Sequence, residues 1–265
     1  MISQAFEARR SQGRAALVPY VTAGYPAIDS TVPLLEALAS AGADVLELGI
    51  PFSDPLADGP TIQRSSFASL EGGTTVRSVL ADLRVFRSRN ATPVVLMTYL
   101  NPVLSYGIDS FLADAVEAGA NGLLLTDLPT GADPGLEERV SASPLDLIRL
   151  VAPTTDPDRV PEVAAGGSGF LYYISRTGVT GATSELRDTI GDEVGRVRAA
   201  VSLPVAVGFG ISTPKQAGEV AAVADGVVVG SALIHLLQDG EIDSAASFLS
   251  SLRSGMDAAR SDHSS

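Results

Sequence analysis

Short, near-continuously apolar runs recur along the chain: Ala16–Thr22, Val45–Ile50, Pro93–Tyr99, Gly122–Asp127, Leu145–Ala152, Gly169–Ser175, Pro204–Gly210 and Gly226–Ser231. Apolar runs of roughly six residues, without polar alternation, predict strands buried on both faces of a parallel sheet. Between them the apolar spacing changes to a helical one. Val32–Ala41 presents Leu34, Leu35 and Leu38, and Ile108–Ala118 presents Phe111, Leu112, Ala115 and Val116. Thr213 followed by Pro214 reads as the N-cap and first position of a helix reaching Ala224. Strands alternating with helices predict right-handed βαβ units, and eight such units close as an α/β fold, the (β/α)8 TIM barrel.

The same pattern shows a weak internal repeat. AGADVLELG from Ala41, AGANGLLLT at Ala118–Thr126 and VADGVVVG from Val223 each read as helix end, tight turn, strand. The general preference of such turns for Gly and for Asp or Asn accounts for this as well as a true repeat does. No linker divides the 265 residues, so a single domain is expected, with residues 256–265 as a frayed tail. Extra length is concentrated after the second and sixth runs, at Pro51–Thr61 and Thr177–Glu185. Long loops after barrel strands mark the active face.

Composition narrows the chemistry. A formal net charge of -13 repels nucleic acid and anionic lipid, so neither is an expected partner. It also means that an anionic substrate needs local positive potential, supplied most cheaply by backbone N–H groups and helix N-termini. There is no cysteine, which removes disulfides, thiolate catalysis and cysteine metal sites. The two histidines are His235, in the apolar stretch Ala232–Leu237 and expected to pack within a helix, and His263, in a polar tail. Neither suits a metal site or a Ser-His-Asp triad. Met1–Arg10 lacks the apolar segment of a signal peptide. The longest uncharged run, Ala91–Ile108, is broken by Pro93, Asn101 and Pro102 and does not read as a membrane span, so a cytoplasmic location is expected.

Glu47 is the most informative residue. It interrupts the apolar run Val-Leu-Glu-Leu-Gly-Ile. Strand alternation puts Val45, Glu47 and Gly49 on one face and the bulkier Leu46, Leu48 and Ile50 on the other. The bulky face suits the helices, which aims Glu47 into the barrel. Burial there raises a carboxyl pKa and suits proton transfer near neutral pH. A polar strand end open to solvent is the competing reading. Asp54 and Asp58 follow in the loop PFSDPLADGP, stiffened by three prolines. That loop reads either as a lid carrying a second carboxylate or as plain turn chemistry, since Asp before Pro or Gly is common in turns. Gly208-Phe209-Gly210 and Gly230-Ser231 end the last two runs, where barrels commonly bind phosphate. Gly178-Val179-Thr180-Gly181 forms a third small-residue loop, reading either as cover for the same ligand or as a mobile turn.

Taken together, these segments resemble the tryptophan synthase α subunit family over residues 5–255. YVTAGYP at Tyr20–Pro26 is similar to its first strand and loop, and LELGIPFSDPLADGPTIQ at Leu46–Gln63 to its most diagnostic segment. SRTGVTGA at Ser175–Ala182, VGFGIS at Val207–Ser212 and VVVGSA at Val227–Ala232 follow in the family's order. The resemblance implies a lyase that cleaves indole-3-glycerol phosphate to indole and glyceraldehyde-3-phosphate, without cofactor or metal. It implies that Glu47 is the main acid-base group, that Asp58 handles the indole N–H proton, and that Thr180 orders against Asp58. It puts phosphate against Gly181, Gly210, Gly230 and Ser231. Tyr20, Met97, Tyr99, Leu124, Thr126, Leu150, Tyr172 and Phe209 would wrap the indole and glycerol parts. Tyr20 stands where the family often has Phe, and Thr126 where it often has a smaller residue. The implied partner is a β subunit carrying pyridoxal phosphate, in an α2β2 heterotetramer, with Pro51–Asp58 and Asn101–Tyr106 as contact loops and Asp54 signalling to it. Other readings are a regulatory phosphate-binding barrel with little turnover, a sugar-phosphate isomerase, or a stand-alone indole-releasing lyase.

Overall fold

The computed structural model describes residues 1–174, 185–208, 210–239 and 241–261. Nine parallel strands form one sheet: β1 Ala16–Thr22, β2 Leu46–Gly49, β3 Val94–Thr98, β4 Gly122–Leu125, β5 Asp146–Leu147, β6 Arg149–Val151, β7 Leu171–Ile174, β8 Val205–Gly208 and β9 Gly226–Val229. Their order, β5-β4-β3-β2-β1-β9-β8-β7-β6, begins and ends on consecutive segments of the chain. β5 and β6 are thus one strand interrupted at Ile148, and the ring closes through it. The predicted run Leu145–Ala152 is this strand. It splits because β5 pairs with β4 while β6 pairs with β7. The architecture is the single-domain α/β barrel expected from the pattern.

The helix at Ile108–Ala118 falls where its apolar spacing puts it, and Val32–Ala41 becomes Thr31–Ser40. Thr213 caps the helix Pro214–Ala221 in a capping box with Gln216, three residues short of the expected end. Asn101–Tyr106, expected as a loop, lies in the helix Leu100–Tyr106. His235 is helical but exposed, not packed: Leu233 and Ile234 take the inward positions. The last helix runs to Ser261 with Met256 buried, past the point where fraying is expected. Among the described residues no helix is long and apolar enough to cross a membrane.

Two apolar layers hold the fold. The outer one joins strands to helices and contains Leu46, Leu48 and Ile50. The inner one fills the barrel with Ala16, Val18, Val45, Val95, Leu124, Ile148, Phe170, Ala206 and Val228. Ile2 and Phe6 also belong to it. They come from the helix Ile2–Ser11, which closes the N-terminal end of the barrel, and Phe6 stacks on Phe170 with ring centroids 5.1 Å apart.

The repeated turn has a shared task. Asp44 Oδ2 accepts from Leu17 N–H at 2.8 Å, Asn121 Oδ1 from Val94 N–H at 3.0 Å, and Asp225 Oδ2 from Val205 N–H at 2.9 Å. In each case the residue that leads into one strand pins the start of the strand preceding it in the chain. Asp or Asn is therefore required as an acceptor in these turns, beyond any turn preference.

Candidate active site

The C-terminal ends of the strands enclose a cleft of two overlapping lobes. One, about 500 Å³, is lined by Tyr20, Ile62, Val228, Gly210, Gly230 and Ser231 together with Glu47 and Asp58. The other, about 900 Å³, is lined by Leu124, Thr126, Leu150 and Ile174, again with Glu47 and Asp58. Met97 and Tyr172 border both. The two carboxyl groups stand at the waist where the lobes meet. No Lys or Arg lines either lobe among the described residues.

Alternation along β2 places Glu47 as its strand pattern requires, between buried Val45 below and Gly49 above. The side chain is 1% exposed, and both carboxyl oxygens lack a hydrogen-bond partner among the described residues. Burial pushes its pKa up to about 8, and the Asp58 charge adds to the rise. Asp58 lies on the loop between β2 and the helix Pro60–Glu71. Burial raises its pKa as well, opposed by a hydrogen bond from the Tyr99 hydroxyl. Tyr99 stands behind that loop, not along the cleft: its hydroxyl accepts from Ala57 N–H at 3.0 Å and its ring tilts against Phe52. Desolvation, then the nearby Asp58 charge, pushes its pKa up to about 12, so it remains a donor. Burial also raises Tyr20 and Tyr172, each further by the acidic pair.

Two glycines seat the tyrosines. A Cβ at Gly49 would lie 2.2 Å from the Tyr20 hydroxyl, and one at Gly208 would lie 2.4 Å from the Tyr172 hydroxyl. Gly208 thus makes room for a ring, while Gly210, at φ +63°, faces the cleft. Gly230 caps the helix Ser231–Leu236, whose first residue is Ser231. Of the residues singled out from sequence, Thr180, Gly181 and Phe209 lie outside the described residues. Ile62 and Val228 line the cleft without having been singled out. Val228 shares a strand face with Gly226 and Gly230, so counting by two finds it. Ile62 lies in the first turn of the helix that follows Asp58.

A barrel whose strand ends enclose a cleft with two carboxyl groups and a glycine-lined lobe has the layout of an α/β-barrel enzyme, with its site at the C-terminal ends of the strands. A family model described as tryptophan synthase alpha chain matches residues 6–260. A tryptophan synthase alpha chain from Citrifermentans bemidjiense is 47% identical over 259 residues, 96% of this chain and 97% of that one. The tryptophan synthase subunit alpha of Legionella pneumophila superposes with a TM-score of 0.89 at 38% identity, covering 97% and 98% of the two chains. A tryptophan synthase from M. tuberculosis superposes with a TM-score of 0.87 at 36% identity, covering 96% and 98%. The chain belongs to the tryptophan synthase alpha chain family.

Proposed function

We propose that Glu47 and Asp58 carry out this family's reaction, the cleavage of indole-3-glycerol phosphate to indole and glyceraldehyde-3-phosphate, at the waist of the cleft. By its family the chain is a carbon–carbon lyase of tryptophan biosynthesis. The observation that carries the assignment is the Glu47 carboxyl, buried without a hydrogen-bond partner among the described residues and with its pKa pushed up to about 8. At neutral pH it rests protonated and can act first as an acid.

The steps balance on the two side chains. Glu47 gives its proton to indole C3 while Asp58 takes the proton of the ring nitrogen. The Glu47 carboxylate then takes the proton of the hydroxyl on the carbon attached to C3. As the carbon–carbon bond breaks, its electron pair returns to the ring, the nitrogen recovers its proton from Asp58, and an aldehyde leaves. Both residues end as they began, with no demand for cofactor or metal on this chain. The lobe walled by Leu124 and Leu150 suits the indole, with Thr126, Met97 and Tyr172 at its edge. The Gly210, Gly230 and Ser231 amides suit the phosphate, and with no cation lining the cleft among the described residues the main chain supplies the positive potential. Tyr20 borders the glycerol chain. Thr180 and Gly181 complete these roles in the family's pattern.

Membership also implies a β chain as partner. An α2β2 assembly that uses the segments around Leu56 and Leu104 fits their exposure, 82% and 57%, since large exposed apolar side chains favour contact surfaces. Asp54 is exposed on the first segment, which favours a role in signalling to that partner over one in the reaction.

The test is indole release by the purified chain. A positioned acid-base group contributes about 10²–10⁴-fold, so Glu47→Gln should fold and lose at least about 10²-fold in turnover. Near-normal turnover by that variant ends the assignment. A wild-type chain that binds the substrate but releases no indole, with or without the β chain, supports a purely regulatory barrel instead.

A further inference from the structure

We infer that a chain of buried hydroxyls, Tyr20–Thr22–Ser65, positions Asp58 by fastening the helix Pro60–Glu71 to the end of β1. The inference rests on the role given to Asp58 above. That helix begins two residues after Asp58, and its buried residues are Ile62, Ser65, Ser66 and Ser69. A face of three serines and one isoleucine gains little from apolar burial, so hydrogen bonds must locate it.

Those bonds form a continuous path. Ser65 Oγ donates to the Ile62 carbonyl at 2.8 Å. Thr22 Oγ1 lies 2.7 Å from Ser65 Oγ, and the Tyr20 hydroxyl 3.2 Å from Thr22 Oγ1. Each hydroxyl has a single proton. Ser65 has committed its own to Ile62, so Thr22 donates to Ser65 and Tyr20 donates to Thr22. Ser69 Oγ adds a second tie, donating to the Ala23 carbonyl at 2.5 Å. At the far end Gln63 Nε2 donates to the Asp58 carbonyl at 2.9 Å and the Pro55 carbonyl at 3.4 Å. The path therefore runs from β1 through the hydroxyls to the helix, and from Gln63 to the Asp58 loop. It starts beside the other carboxyl, because Tyr20 and Glu47 are register partners on β1 and β2. Both acids are thus referred to one strand pair. Thr22, Gln63 and Ser65 are positioning residues: none lines the cleft.

Thr22→Val and Ser65→Ala cut the path without altering the cleft wall. Each should lower kcat for indole release about 5- to 20-fold with KM within about twofold, as expected when a reacting group is misplaced by a fraction of an ångström. The basic limb of the kcat/KM profile should also move to lower pH, because an Asp58 that drifts away raises Glu47 less. Thr22→Ser and Ser65→Thr keep a hydroxyl and should restore both readouts. Wild-type kcat and an unmoved limb in folded Thr22→Val and Ser65→Ala overturn the proposal. A loss that the hydroxyl-keeping variants fail to restore at unchanged Tm overturns it too. If the cut variants do not fold, Gln63→Met breaks the path at its outer end and is judged by the same two readouts. Asp58→Asn is measured alongside. Should it keep full turnover, the role of Asp58 fails by itself, and the Glu47 titration in Ser65→Ala, followed by carboxyl NMR, judges the hydroxyl chain.

Discussion

The two ends of the barrel interior are built from the same strands and do opposite things. At the N-terminal end Val45, Val18, Val95 and Ala206 meet Ile2, Phe6 and Phe170 in a closed apolar packing. Two residues further along the same face of β2, Glu47 has no hydrogen-bond partner among the described residues. The cleft above it holds Tyr20, Tyr172 and Asp58. The lower half supplies the floor on which the upper half works: the helix Ile2–Ser11 closes the barrel from below, and Glu47 is desolvated by its own burial at the next level up. Stability and chemistry are therefore separable by height along a strand, and substitutions can test how cleanly.

The largest expected effect is at the floor. Phe6 is 2% exposed and stacked on Phe170. Phe6→Ala should cost about 3–5 kcal/mol in urea unfolding, the usual range for a buried Phe truncated to Ala. The folded variant should keep kcat within about twofold. A large fall in kcat at unchanged stability would show that the two halves are not separable.

The next effect has the opposite sign and belongs to the upper half. Glu47 titrates near 8 in the folded protein against 4.5 for an ordinary glutamate. A raised pKa means that the folded state binds the proton more tightly than the unfolded one. Its contribution is fully present below about 4.5 and is lost as pH rises through about 8. Across that window the wild type should lose stability relative to Glu47→Gln by about 1.4 kcal/mol per pH unit. Unfolding of both proteins at pH 5, 6.5 and 8 checks this. Parallel stabilities at all three would mean that Glu47 is not desolvated, and the contrast with the floor would collapse. Phe6→Ala keeps Glu47 and should run parallel to wild type across the same pH values.

How much of this was legible in the sequence follows from the kind of signal each feature leaves. The eight runs of apolar residues marked every strand, because a strand buried on both faces leaves a continuous signature. Glu47 was legible because it breaks that signature. The helix Ile2–Ser11 was not, since only Ile2 and Phe6 of its ten residues are buried and a two-residue stripe does not register as periodicity. The helix Pro60–Glu71 was hidden for a related reason: its inward face is mostly serine, which reads as polar surface. Asn101–Tyr106 looked like a loop because Asn and Pro open it, yet Pro suits the first turn of a helix. The break at Ile148 depends on which neighbours the strand's two halves pair with, which local sequence does not encode. Tyr99 was expected on the cleft wall, but its place behind Asp58 was not legible, because that depends on the path of another loop.

The smallest effect concerns the turns beneath the floor, where stability alone should respond. Asn121 Oδ1 accepts from the N–H of Val94, a fully buried residue at the start of β3. Asn121→Ala strands that donor, and a buried amide left without an acceptor costs about 1–3 kcal/mol. The equivalent turns use Asp44 and Asp225 as the acceptor. Asn121→Asp should therefore keep the bond and sit within about 0.5 kcal/mol of wild type, the range of a change that disturbs no buried feature. Both variants should release indole at the wild-type rate, since neither reaches the cleft. If Asp destabilises as much as Ala, the three turns do not share one design, and their likeness in sequence reduces to the ordinary preferences of tight turns.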